Sequence, residues 1–265
     1  MNPVDRPAVH RPGPVFHSVE IQNLNRRYQA MPAERRIESF LSEFEPGDIL
    51  LSSSFGTTSA LLLHLFSVQD VRLPVYFIDT GFHFRETYNY REQLVSLLGL
   101  EIRDVVPDAE GHRRAESEHL WWFNPDLCCR IHKVEPFRRV KVESGRTLWI
   151  SALRRDQSPT RSNHRLFMRD EDGHIRVHPM IHWTRDQVWD YIIRHRLPYH
   201  PHYDRGYTSI GCFPPVCTRR NVSIKDERAG RWFGRNKKEC GLHLFGRNDQ
   251  TVPEDVAAME VKDAG

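Results

Sequence analysis

The five cysteines of the chain fall in three places, and their spacing points to two kinds of chemistry. Cys128 and Cys129 are adjacent, Cys212 and Cys217 close the run Gly-Cys-Phe-Pro-Pro-Val-Cys, and Cys240 stands alone in Lys-Lys-Glu-Cys-Gly-Leu-His. Two close pairs plus one isolated thiol fit a four-thiolate metal site with a separate nucleophile. Ordinary buried thiols, or two disulfides with one thiol left over, are the other divisions. A bridge between Cys128 and Cys129 would close a strained ring, which argues against pairing them with each other. Arg235, Lys237, Lys238 and His243 flank Cys240, and positive neighbours favour the thiolate that a nucleophile needs. Glu239 opposes that effect, while Gly241 frees the backbone for the segment to swing toward a substrate.

Three other stretches carry groups suited to an anion. The loop Ser52-Ser-Ser-Phe-Gly-Thr-Thr-Ser, with Ser53, Ser54, Phe55 and Gly56 at its turn, joins a strand to a helix start. Backbone N–H groups there, beside hydroxyls, make an anion cradle; a Ser/Thr-rich capped turn with no ligand explains the pattern as well. It lacks the Gly-Lys-Ser/Thr of a Walker A loop, and no Gly-x-Gly-x-x-Gly marks a dinucleotide fold. Asp79-Thr80-Gly81 at a strand end could hold a ribose hydroxyl or cap the following turn. The loop over 152–161 brings Arg154, Arg155 and Arg161 together after an apolar strand, with Ser and Thr between them. Such a loop suits bidentate capture of phosphate or sulfate oxygens, against the alternative of a solvated surface loop. His195, His200 and His202 also cluster, but lack the second ligand pair that a zinc site would want.

The elements that must position these residues are legible in the hydrophobic pattern. Two helices are expected between residues 20 and 44, then strands over 48–52, 73–79, 101–106 and 147–151, with a fifth over 177–181. Helices fall between them, near 59–66 and 86–98, and an amphipathic helix over 183–196 takes Thr184 as its N-cap. Alternating strands and helices imply an α/β, doubly wound, mostly parallel sheet, whose ligands bind at the carboxyl ends of the strands. The serine loop, Asp79 and the arginine loop all fall there. Residues 1–18 are expected to be a loose leader, with prolines at 3, 7, 12 and 14. Residues 19–245 are expected to form one domain with an irregular C-terminal segment carrying Cys240, and 246–265 an acidic, frayed tail.

Composition excludes little but bounds the setting. At 265 residues, 39% hydrophobic and 28% charged, the chain reads as globular, and a net charge of +3 is too small to imply nucleic-acid binding. Arg130, His132, Lys133, Arg138 and Arg139, with the arginine loop, make the middle third basic, either as a solvated face or as a receptor for a small polyanion. No apolar run approaches the roughly 18 residues of a membrane span, and no signal-peptide core opens the chain. The cytoplasm is the expected location.

These residues also carry a resemblance. The chain resembles the assimilatory phosphosulfate reductases, which reduce adenylylsulfate or its 3′-phosphorylated form to sulfite. The likeness runs from about residue 49 to 243, through Leu51-Ser-Ser-Ser-Phe-Gly, Phe77-Ile-Asp-Thr-Gly-Phe-His-Phe-Arg-Glu-Thr-Tyr and Cys128-Cys-Arg-Ile-His-Lys-Val-Glu-Pro-Phe. It continues through Gly206-Tyr-Thr-Ser-Ile-Gly-Cys, Arg228-Ala-Gly-Arg-Trp and Glu239-Cys-Gly-Leu-His. The resemblance implies a fold of the adenine-nucleotide α-hydrolase kind, with the serine loop near the phosphosulfate. It implies Cys240 as the attacking thiol, with Lys133, Arg154, Arg155 and Arg161 binding the anion. Members with both cysteine pairs carry a [4Fe–4S] cluster and prefer adenylylsulfate, which casts Cys128, Cys129, Cys212 and Cys217 as ligands. Two departures stand out. The second pair is spaced Cys-x4-Cys instead of Cys-x-x-Cys, and the Ser-Ser-Ser-Phe-Gly loop with Arg231-Trp-Phe-Gly is more like the members that use the 3′-phospho substrate.

The expected activity is thioredoxin-dependent reduction of adenylylsulfate to sulfite and AMP through an S-sulfocysteine, in sulfate assimilation and cysteine biosynthesis. A glutaredoxin-like reductant, a 3′-phosphoadenylylsulfate or dual-substrate activity and a homo-oligomer remain open. An ATP-dependent adenylating enzyme of the same superfamily would want a Ser-Gly-Gly-x-Asp-Ser loop, which is lacking. A non-catalytic iron–sulfur or zinc regulator would leave Cys240 without a role.

Overall fold

The computed structural model describes residues 14–243 except Val222 and Ile224. In chain order the helices and strands are α1 (Ser18–Gln29), α2 (Ala33–Glu43), β1 (Ile49–Ser53), α3 (Ser59–Ser67), β2 (Val75–Ile78) and α4 (Arg85–Leu98). Then come β3 (Ile102–Val105), α5 (Ala109–Ser117), α6 (Leu120–Phe123), α7 (Pro125–Cys129), a π-helical turn (Arg130–Val134) and α8 (Glu135–Ser144). β4 (Leu148–Ile150), β5 (Phe167–Arg169), β6 (Ile175–Val177) and α9 (Arg185–Arg194) complete the series. The first 13 residues of the expected leader and the whole expected tail lie outside the described residues.

One six-stranded sheet, ordered β3-β2-β1-β4-β6-β5, organises the described residues. All neighbours run parallel except the edge pair β5–β6. The central strand β1 is buried on both faces, and a strand covered on both sides reads as a continuous apolar run, as Ile49-Leu-Leu does. Ile49 and Leu51 share a core with Phe40 of α2, Leu62 of α3 and Ile192 of α9. Leu50 faces the other way, toward Tyr76, Trp149 and Phe137 of α8. The sheet therefore carries helices on both faces, as the alternating pattern required.

The first four expected strands and the α9 cap agree with the sequence reading. Thr184 accepts from the Gln187 N–H at 3.3 Å and returns its own N–H to Gln187 Oε1 at 2.9 Å. The fifth strand does not lie over 177–181. Val177 is the last residue of β6, and 178–181 turns, with the Ile181 N–H on the His178 carbonyl. Pro179 has no N–H to give a ladder, so the apolar run could not continue as a sheet strand. A hairpin of two three-residue strands takes its place, turned by Asp170, whose carboxylate accepts from the N–H groups of Asp172 and His174.

The sheet order reverses between β1 and β4, since β2 and β3 lie to one side and β6 and β5 to the other. At such a switch point the loops leaving the strand ends diverge and open a crevice. The serine loop follows β1 and the arginine loop follows β4, so the fold delivers both to one place.

Candidate active site and thiol centre

The crevice is a cavity of about 200 Å³. Ser53, Ser54 and Gly56 form one wall, and Ser151 and Arg161 the wall after β4. Phe55 shapes this loop without facing the crevice. Its φ of 45° lies in the left-handed region, and its ring is fully buried, edge-on to Phe77 at 5.4 Å. A non-glycine residue there costs about 1–3 kcal/mol, offset by burying the ring. The Ser53 hydroxyl accepts from the Phe55 N–H at 3.1 Å and locks the turn.

Four cations line the cavity: Lys133, Arg161, Arg228 and Arg231. Glu227 is the acidic residue in the wall, and it is bound to Arg154 at 2.9 Å. Arg231 enters because position 211 is glycine; a Cβ there would collide with the guanidinium. Cys240 opens on the same cavity, beside His243, whose ring stacks on Trp149 at 5.2 Å.

A second, small cavity of about 10 Å³ lies alongside, lined by Cys128, Cys129, Cys212 and Cys217. Lys133, Arg231 and Trp232 border both cavities. Cys128 and Cys129 end α7, where Pro125 supplies the first helical residue and the Asn124 side chain caps it. The π-helical turn begins at the next residue, a feature frequent at functional sites. Backbone hydrogen bonds within and beside the Cys-x4-Cys loop close its return. Phe213 is pinned to the Phe82 carbonyl at 2.6 Å, and the Cys217 N–H reaches the Pro214 carbonyl at 2.7 Å, closing a turn that brings Cys217 back to the cavity.

Charge ties the two cavities together. Burial pushes Cys129 up to about 12 and Cys217 up to about 11, so neither ionises readily as a plain thiol. Burial would raise Cys212 too, but Lys133, the Thr80 hydroxyl at 3.5 Å and Arg231 hold it below the ordinary thiol value. Burial would depress the Lys133 ammonium, but the Cys212 thiolate, the first of the sulfurs facing it, outweighs burial and holds Lys133 above its usual value.

The structure thus gathers Ser53, Ser54, Gly56, Lys133, Arg161 and Cys240 around one cavity and the four remaining cysteines around its neighbour. It places the other expected residues elsewhere. Asp79 accepts from the Gly81 N–H and the Tyr88 hydroxyl, Thr80 sits at Cys212, and none of 79–81 lines the cavity. Arg154 and Arg155, expected as anion ligands, do not line it either. Arg154 is 2% exposed and committed to Asp156 and Glu227, both at 2.9 Å, while Arg155 donates to the His164 carbonyl at 2.7 Å. Arg228 and Arg231 take their place. Their signal was the Arg-x-x-Arg-Trp run, but no sequence pattern ties that run to the sheet 50 or more residues earlier.

The phosphoadenosine phosphosulfate reductase domain matches residues 48–219, which hold both cysteine pairs and Arg161. The chain is 43% identical over 199 residues to an adenosine 5′-phosphosulfate reductase of Bacillus subtilis, covering 74% of this chain and 83% of that protein. The chain belongs to the phosphoadenosine phosphosulfate reductase family. Within that family, an adenosine 5′-phosphosulfate reductase of Chelativorans is 40% identical over 239 residues, 89% of this chain and 96% of its own length. A phosphoadenylyl-sulfate reductase from Candida auris, solved with phosphate, superimposes with a TM-score of 0.66 at 25% identity, over 76% of this chain and 98% of its own. An FMN adenylyltransferase from Candida glabrata shares the fold at a TM-score of 0.53 and 18% identity, over 76% and 73%.

Proposed function

We propose that this chain reduces adenylylsulfate to sulfite and AMP, with Cys240 as the nucleophile. The observation that carries the reading is that Cys240 and four cations, Lys133, Arg161, Arg228 and Arg231, face one cavity. Bringing a thiolate to a phosphosulfate is opposed by charge, and fixed positive groups around the meeting point remove that barrier. The Cys240 thiolate attacks the sulfur, the bond between sulfur and the bridging phosphate oxygen breaks, and AMP leaves with that bond's electron pair. An S-sulfocysteine remains. A dithiol protein of the thioredoxin or glutaredoxin type then attacks the Cys240 sulfur through one thiolate, expels sulfite, and closes its own disulfide as the mixed disulfide resolves. Two thiols are oxidised and the sulfonyl sulfur is reduced by two electrons. AMP is a good leaving group, so no acid of unusual strength is needed.

The four cysteines of the small cavity would hold a [4Fe–4S] cluster. The donor set supports that fit: four thiols line one buried cavity, thiolate sulfur is what iron–sulfur clusters take as ligand, and Trp232, whose buried Nε1 has no partner among the described residues, borders the same cavity. When bound, the cluster would supply negative charge beside Lys133 and Arg231, which border both cavities. All five cysteines are unpaired, in keeping with a reducing, cytoplasmic setting. Among the described residues no helix is long and apolar enough to cross a membrane.

A second reading keeps the mechanism and changes the substrate. The Leu51-Ser-Ser-Ser-Phe-Gly loop in the cavity wall favours acceptance of the 3′-phosphorylated nucleotide as well. Anaerobic incubation with adenylylsulfate and no reductant tests the chemistry. We expect one sulfonate on Cys240 by intact mass, with stoichiometric AMP, and sulfite only after reduced thioredoxin is added. Cys240→Ser should bind nucleotide and release no AMP. Turnover by Cys240→Ser, or a sulfonate on another cysteine, removes the assignment. Kinetics on both nucleotides decide the substrate.

A further inference from the structure

Glu239 precedes the nucleophile and is 5% exposed, yet it does not line the cavity. Its carboxylate lies behind the wall and is enclosed by donors. Arg161 gives Nε at 2.8 Å and Nη2 at 3.0 Å, Arg228 gives Nη2 at 2.9 Å, and the Thr160 hydroxyl donates at 3.2 Å. Burial favours the neutral acid, but the Arg228 and Arg161 charges outweigh it and hold Glu239 near about 2. Both arginines line the cavity, and Arg228 keeps its buried Nε without a partner among the described residues. Next in the chain, Gly241 has φ 101°, and a Cβ there would stand 2.9 Å from Val134 Cγ2. The segment is therefore pinned at Glu239 and pressed close at Gly241, with Cys240 between.

We propose that Glu239 is a positioning residue that anchors the Cys240 segment to Arg161 and Arg228, and that by neutralising part of their charge it weakens ground-state binding of the anionic substrate. Two opposing effects follow from one carboxylate. The anchor raises the fraction of molecules whose thiol is in place to attack. The charge it takes from the guanidinium pair is charge that the bound phosphosulfate no longer meets, so affinity is given up for rate. A purely structural ion pair would not separate the two.

This inference rests on the proposed role of Cys240, and Glu239→Gln tests it in the cofactor-loaded protein. In single turnover with adenylylsulfate we expect the maximal rate of AMP release to fall roughly tenfold or more. In a Cys240→Ser background, where no turnover occurs, Glu239→Gln should bind adenylylsulfate several-fold tighter. Glu239→Asp keeps the charge and should return affinity to the Cys240→Ser value. Without any substrate, iodoacetamide should label Cys240 faster in Glu239→Gln than in the parent, since the segment is released. If the parent releases no AMP, the reading of the reaction fails while the alkylation result still judges the anchor. If the parent turns over and Glu239→Gln binds no tighter, or alkylates no faster, the anchor proposal is overturned.

Discussion

At the residue scale the arginines separate by what their guanidinium groups already hold. Arg161 gives two donors to Glu239 but sits in the cavity wall, whereas Arg154 lies behind it, spent on Asp156 and on Glu227 of the wall. Their alanine variants should therefore fail differently. Arg161→Ala should lower kcat/KM by ~1.5–3 kcal/mol, about 10- to 150-fold, from one charged contact. Arg154→Ala strips the partner from half-buried Glu227 and leaves that carboxylate uncompensated in the cavity wall. It should show as a lower unfolding midpoint, and in protein that stays folded KM for adenylylsulfate should rise less than in Arg161→Ala, since Arg154 touches the cavity only through Glu227. Equal KM effects in the two variants would place Arg154 at the anion after all. Both arginines were legible as a cationic loop. Which one lines the cavity was not, because a side chain's direction depends on the residue that captures it, and Glu227 and Glu239 come from far along the chain.

At the element scale the loop over 212–217 is the part that sequence reasoning found hardest. Four residues between the cysteines, two of them proline, look like an obstacle to shared ligation. In the fold the obstacle is the device, because the turn closed on the Pro214 carbonyl returns Cys217 to the cavity of Cys128 and Cys129. Cys217→Ser should bleach anaerobically purified protein as fully as Cys128→Ser, with iron and sulfide assays falling in step. Colour and activity retained in Cys217→Ser would put the fourth ligand elsewhere. The hairpin of β5 and β6 shows the converse failure of pattern. Three-residue strands are too short for an alternating signal, and Val177, Met180 and Ile181 made the run over 177–181 look like the strand that Pro179 kept it from becoming.

At the scale of the whole molecule, stability should fall on mild acidification. Burial, with help from Arg161 and Arg176, holds His164 near about 4, and burial with His202 does the same for His200. Both are therefore neutral in the fold where the unfolded chain, near 6.5, takes up protons. Between pH 6.5 and 4 the unfolded state binds more protons, so unfolding becomes easier as pH falls, by about 1.4 kcal/mol per pH unit for each histidine. That stability is fully present above pH 6.5 and lost toward pH 4. Urea midpoints for the holoprotein should drop from pH 7 to pH 5, and His200→Gln should make the drop shallower. A flat profile would mean that these rings are solvated.

The sequence by itself determined the alternation of strands and helices, the strand ends at which the cavity opens, and the grouping of the thiols as two close pairs and one apart. Those features are local or periodic, and local spacing is what a linear chain preserves. Only the tertiary structure decided that Arg228 and Arg231 stand where Arg154 and Arg155 were expected, and that Lys133 and Trp232 border both cavities. It alone set Glu239 behind Arg161, 78 residues apart in sequence. The reason is physical. Which charge meets which is settled by burial, since a buried ion must find its partner wherever the fold brings one within hydrogen-bond reach.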